Sequence, residues 1–160
     1  QVGGDLPVEW SPPEVLRLQR GVRVAVGDVN GDGQADVITS GDEGVEVALQ
    51  SSFDGAFLPA YALSTQACGG LSVCDLDRDG NLDVCFVESE AGRLVCVTGD
   101  PDFDLLRIVS LNGLPPGEPI LRISVATGDL DGDGRLDLVT SCPDGSGAAT
   151  GELRVFSDTR

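Results

Sequence analysis

Three short stretches of the chain hold side chains that could do chemistry together. The first is Asp28-Val29-Asn30-Gly31-Asp32-Gly33-Gln34-Ala35-Asp36. The second is Asp75-Leu76-Asp77-Arg78-Asp79-Gly80-Asn81-Leu82-Asp83. The third is Asp129-Leu130-Asp131-Gly132-Asp133-Gly134-Arg135-Leu136-Asp137. Each reads D-x-[DN]-x-D-G-x-x-D. Oxygen ligands at positions one, three and five of a tight loop converge on one point. The backbone carbonyl of position seven and the carboxylate of position nine can close the shell, and glycine at position six permits the positive φ of a sharp turn. Hard oxygen donors in an adaptable loop select Ca²⁺ over transition metals and over Mg²⁺, which demands a stricter octahedron. The pattern therefore predicts three Ca²⁺ sites. Asp28, Asn30, Asp32 and Asp36 are the side-chain ligands of the first, Asp75, Asp77, Asp79 and Asp83 of the second, and Asp129, Asp131, Asp133 and Asp137 of the third. Gln34, Asn81 and Arg135 contribute carbonyls only. The competing reading is a set of solvated acidic turns, and three in-phase copies argue against it.

The elements that position these loops are legible on either side of them. Position twelve is Thr39, Phe86 and Thr140, so the bidentate Glu of a helix-flanked EF-hand is absent. The loops run into Asp36-Val37-Ile38-Thr39-Ser40, Asp83-Val84-Cys85-Phe86-Val87 and Asp137-Leu138-Val139-Thr140-Ser141, which are β-rich. Before the loops the period is two. Val22, Val24 and Val26 face one side with Arg23 and Ala25 on the other; Leu71 and Val73, then Ile123 and Val125, repeat the pattern. Each loop thus joins two strands of a hairpin. A third strand follows a glycine in each copy: Val45 to Leu49, Arg93 to Val97, and Glu152 to Phe156. A fourth follows in two copies, around Phe57 to Leu63 and Leu105 to Ser110. The copies start 47 and 54 residues apart, a period that suits one four-stranded propeller blade per repeat.

The fold class is therefore all-β: three antiparallel repeats forming a partial propeller, or one that closes with another chain. The divisions are an N-terminal arm over 1–20 with an orphan outer strand, blade 1 over 21–66, blade 2 over 67–119 with an inserted loop from Leu111 to Pro119, and blade 3 over 120–160 without its outer strand. Closed propellers use about four to eight blades. The orphan strand from Glu14 to Gln19 is thus expected to pair with another chain or with a missing portion of a larger one. A simple chain boundary is the competing reading.

Composition sets the exclusions. Of 160 residues, 27 are acidic and 10 basic, for a formal charge of −17, and there is no His. Such a surface repels phosphate backbones and anionic membranes. Without His there is no Ser–His or Cys–His mechanism and no His-ligated zinc or haem within this chain. No apolar run reaches the roughly 18 residues of a membrane helix, and residues 1–20 lack a signal-peptide pattern. Five cysteines, at 68, 74, 85, 96 and 142, leave at least one unpaired. Cys74, Cys85 and Cys96 fall on neighbouring strands of blade 2, where a disulfide and a simple packing role both remain open. Glu43, Glu46, Glu88 and Glu90 are weak acid–base candidates, and solvated charge is the plainer reading. Trp10 and Tyr61 could stack on a sugar or pack at a blade edge. Asp100, Asp102 and Asp104 lack the glycine and read as a turn.

Gly27-Asp28 to Val37 and Gly128-Asp129 to Leu138 closely resemble the FG-GAP or VCBS repeats of surface proteins and the calcium-binding blades of integrin α-subunit propellers. The middle copy departs at Cys74 and Arg78, neither of which removes a ligand. The resemblance covers roughly residues 14 to 156. It implies an extracellular or cell-surface β-propeller with calcium in the hairpin loops and does not fix the function, since such propellers serve many roles; the function expected here is a non-enzymatic module for adhesion or surface assembly. The expected partners are another copy of itself or further blades of a parent chain, with a protein or glycan surface ligand also possible, and no nucleic acid or membrane insertion. The alternatives are a lectin-like or carbohydrate-active propeller, and a structural subunit that self-assembles by strand addition.

Overall fold

The computed structural model describes residues 15, 16, 18, 21–100, 102–111, 123–143 and 151–157. Trp10 and all but the first residue of the proposed Leu111–Pro119 insertion lie outside them. The described elements are all strands: β1 Gly21–Gly27, β2 Asp36–Gly41, β3 Gly44–Ala48, β4 Tyr61–Ser64, β5 Cys68–Cys74, β6 Asp83–Glu88, β7 Arg93–Val97, β8 Leu105–Ser110, β9 Ser124–Gly128, β10 Asp137–Pro143 and β11 Gly151–Phe156. They form three antiparallel sheets, β1-β2-β3-β4, β5-β6-β7-β8 and β11-β10-β9. Each is a meander in which every acidic stretch connects the first strand to the second. The sheets are propeller blades, and they do not close a ring among the described residues. No described helix is long and apolar enough to cross a membrane.

The middle sheet is buried on both faces, which explains the nearly unbroken apolar composition of β6 and β7. Val84, Phe86, Val95 and Val97 point to the first sheet, where they meet Val29, Ile38, Val45 and Val47. Cys74, Cys85, Val87, Leu94 and Cys96 point the other way, to Ile123, Leu138 and the flanking Val125 and Phe156. Burial of each such side chain contributes on the order of 1.5 to 3 kcal/mol. Leu111 belongs to this second core and is buried; its N–H donates to the Gly92 carbonyl at 2.8 Å. The first residue of the expected insertion is thus part of the core.

The inner strands sit together, with β5 touching β1 on one side and β9 on the other. Arg23 on β1 donates to the Ile123 carbonyl at 2.5 Å, linking the first sheet to the third. Register puts Arg23 and Ala25 on the face shared with Ile38 and Ser40, toward the middle sheet. Val24 and Val26 take the opposite face, where they are 68% and 61% exposed. Their counterparts Leu71, Val73 and Val125 pack against a preceding sheet, and the first sheet has none among the described residues. At the other end, Leu153 and Val155 of β11 are 73% and 53% exposed.

Val15, Leu16 and Leu18 carry no strand assignment. Leu16 and Leu18 instead line a cavity with Ala48, Phe57, Leu58 and Ala60 of the first blade. The described part of the arm thus lies beside the first sheet.

The second and third sheets approach closely at Gly70. Its φ is +60°, and a Cβ there would come within 2.7 Å of Val125 Cγ2 and 3.0 Å of the Val125 backbone nitrogen. A Cβ at Gly128 meets nothing within 4 Å. Gly70→Ala should therefore destabilise by about 2 to 4 kcal/mol, from left-handed strain plus overpacking. Gly128→Ala should cost less than about 1 kcal/mol. Denaturant unfolding of the two variants checks the contrast.

Candidate metal centre

The three acidic stretches are hairpin loops with a common internal wiring. Position one accepts from the N–H of position six in each: Gly33 to Asp28 at 2.8 Å, Gly80 to Asp75 at 3.2 Å, and Gly134 to Asp129 at 2.9 Å. Position three accepts from position five, at 3.1 Å in all three copies. Position five accepts from position seven, with Gln34, Asn81 and Arg135 donating at 2.9, 2.8 and 2.8 Å. The backbone is thus coiled so that carboxylate and amide oxygens face inward. That winding requires left-handed residues. Position six has φ of +86°, +97° and +83° at Gly33, Gly80 and Gly134, as the glycine pattern predicts. Position four is left-handed as well, at Gly31, Gly132 and Arg78. The sequence reading missed this requirement; two glycines at position four were the available signal. Arg78 adopts φ +68° against a cost of roughly 1 to 2 kcal/mol for a residue with a side chain.

Position nine behaves differently from the other ligand positions. Asp36, Asp83 and Asp137 are buried. Each accepts from the N–H of position two: Val29 at 3.0 Å, Leu76 at 2.7 Å, Leu130 at 2.9 Å. Asp36 also accepts from Gln50 N–H at 2.8 Å and Asp83 from Gly99 N–H at 2.9 Å, just beyond the third strand of each sheet. Position nine therefore ties the loop to the blade and still has oxygen lone pairs for an ion.

Carboxylate oxygens converge in two loops. Ligand atoms of Asp75, Asp77 and Asp83 lie within 4.8 Å of one another, and so do those of Asp129, Asp131 and Asp137. Asp79 and Asp133 fall outside these groups; Asp79 accepts from Asn81 with both oxygens, and Asp133 lies 3.8 Å from Arg135 Nε. The first loop carries Asn30 at position three, so an amide oxygen stands where its siblings have carboxylate. The Asp75 Oδ1 atom is buried and has no hydrogen-bond partner, a costly state for a carboxylate oxygen unless a cation meets it. All the converging atoms are oxygen, as a hard cation requires. The residues present fit such an ion. The loops also lie side by side: a Cβ on Gly31 would meet the Asn81 side chain, and one on Gly134 the Arg78 guanidinium at 3.4 Å.

The other described candidates lie in or next to the strands. Asp100 accepts from the N–H groups of Asp102 and Phe103, a turn as expected. Glu88 is buried and held by the Ser64 hydroxyl at 3.0 Å and by Arg93. Glu46 is buried in β3, while Glu43 and Glu90 are exposed. Tyr61 packs edge-on against Phe103 with ring centroids 5.3 Å apart. Burial pushes the Cys68 thiol up to about 12.

Antiparallel blades with an acidic loop in the first hairpin define a β-propeller-like repeat. The FG-GAP-like repeat family matches the chain twice, over residues 28–86 and 75–140, and the chain belongs to that family. No curated protein matches it.

Three outcomes follow from this wiring. Arg78→Gly should relieve the left-handed strain and stabilise by about 1 kcal/mol, a rise in melting temperature of roughly 2 to 4 °C. Asp83→Ala leaves two backbone N–H groups without their acceptor and should cost about 2 to 4 kcal/mol even in chelator, whereas Asp79→Ala should change metal-free melting little. The third concerns pH. Burial, the largest cause, raises the pKa of Asp36 and Asp83, opposed by their backbone donors. A carboxylate with a raised folded pKa binds protons more readily folded than unfolded, so stability is lost as pH rises through the folded value. In chelator, the melting temperature should accordingly increase as pH falls from 7 toward the ordinary aspartate range. A melting temperature that falls over that interval contradicts the assignment.

Proposed function

We propose that this chain is a calcium-stabilised, non-enzymatic propeller module that works outside the cell in adhesion or surface assembly. The observation that supports it most directly is the convergence of carboxylate oxygens in two loops, Asp75, Asp77 and Asp83 in one and Asp129, Asp131 and Asp137 in the other, the first of them holding a buried and unpartnered Asp75 oxygen. With a formal charge of −17, the loops repel one another, and a divalent cation in each reduces that repulsion. The metal is structural in this reading: it joins the first two strands of each blade and rigidifies the edge where the loops meet. The family resemblance supports an extracellular setting, and the pairing of Glu88 with Arg93 and Ser64 supports a structural over a catalytic role for that carboxylate.

Calcium that binds only the folded state stabilises it by about 3 to 4 kcal/mol at 100 to 1,000 times the dissociation constant. Chelator should therefore lower the melting temperature clearly, and Ca²⁺ should restore it better than Mg²⁺. An unchanged melting curve in chelator overturns the calcium reading.

A second reading, self-association or docking of further blades of a parent chain, is favoured by the exposed apolar faces at both ends of the stack, Val24 and Val26 at one and Leu153 and Val155 at the other. Each is the counterpart of a face that the middle sheet buries. Exposed patches of this kind mark interaction surfaces. Sedimentation in calcium should show concentration-dependent association of the chain that Val24→Glu reduces without altering calcium-dependent melting. A monomer at every concentration removes self-association.

A further inference from the structure

Three cysteines meet on one face of the middle sheet. Cys74 ends β5, Cys85 lies on β6 and Cys96 on β7. All three are buried. Cys85 and Cys96 are direct partners in the β6–β7 register, and their Sγ atoms are 2.7 Å apart. Packing alone does not call for sulfur at these positions. The strand registers place Ile38 and Val139 where the middle sheet has Cys85, and Val47 and Val155 where it has Cys96. Gly27 and Gly128 stand where it has Cys74.

We propose that Cys85 and Cys96 form a cross-strand disulfide that staples the second hairpin of the middle blade, with Cys74 remaining a thiol. The register decides between the pairings. Residues directly opposite in an antiparallel pair have Cα atoms about 4.5 to 5.5 Å apart, inside the range a disulfide spans. Cys74 is opposite Asp83, which sets it diagonal to Cys85, at a typical separation of about 7 to 8 Å. The Cys74 and Cys85 thiols do lie in hydrogen-bonding contact, but a Cα separation of that size is beyond the ordinary reach of a disulfide.

The oxidation is a thiol–disulfide exchange. Two S–H bonds break and one S–S bond forms. The two electrons and two protons pass to a disulfide oxidant of the glutathione type, which is cleaved to two thiols. Leu111, Ile123 and Leu138 cover this face in the folded chain, so the bond forms during folding, before the third sheet closes over the hairpin. The two cysteines are 11 residues apart, and closing that loop restricts the unfolded chain.

The test is refolding of the full chain in a mixture of oxidised and reduced glutathione, followed by alkylation under denaturing conditions and peptide mass mapping. The expected result is one peptide pair linked through Cys85 and Cys96, with Cys68 and Cys74 alkylated. Reductant should lower the melting temperature by roughly 5 to 10 °C. A Cys85→Val, Cys96→Val double variant, carrying the residues of the third sheet, should melt identically with and without reductant. Alkylation of both Cys85 and Cys96 overturns the proposal, and so does a link between Cys74 and Cys85. The mass map of the natural chain decides the matter even where the double variant does not fold.

Discussion

A buried carboxylate takes the N–H of the second loop residue in every blade, and in the first two blades it also takes an N–H just past the third strand. Those N–H groups sit where the chain leaves regular pairing, so no ladder supplies them with an acceptor. An unsatisfied buried donor costs about 1 to 3 kcal/mol. The aspartate at position nine removes that cost by joining the start of the loop to the far side of the sheet. The arrangement places ionisable oxygen in an apolar interior, and the charge it brings has to be balanced. In the function proposed here a divalent cation in the loop would supply that balance, and the inward oxygens of positions one and three would share it.

Packing extends this local bond to the whole stack. The middle blade is covered on both faces, by the first sheet on one and by the third on the other. The interface between the second and third blades is tight enough to require glycine at position 70. At the outer ends the same geometry leaves valine and leucine faces open. These faces are equivalent to the ones buried inside, and among the described residues no further blade covers them.

The acidic loops carry a second tension. Two left-handed positions are needed to coil nine residues around one point. The first and third loops use glycine at both, and the second sets Arg78 in one of them. Its guanidinium reaches toward Gly134 of the adjacent loop, so one strained residue lays a positive group between two clusters of carboxylates.

The loop spacing, the strand on either side and the 47- and 54-residue periods were legible in the sequence, because each depends on neighbours within about ten residues or on repetition. β7 and β8 match the strands read from composition, and β3 and β11 differ only at their ends. The apolar alternation of β1 was equally plain, yet it could not say which face would be covered. That was decided by the position of the second blade, which takes the Arg23 and Ala25 side and leaves the valines outside. Spacing suggested position nine as one ligand among several, and only folding revealed it as the tie to a third strand more than a dozen residues away. Leu111 looked like the start of a loop because its burial comes from Gly92 and from the third sheet. The same holds for the cysteines: their number and strands were in the sequence, but a facing pair requires the register of β6 on β7. Local spacing sets chemistry and element type, since those rest on backbone geometry. Which groups meet, and which are left open to water, depends on contacts between distant segments that no local pattern encodes.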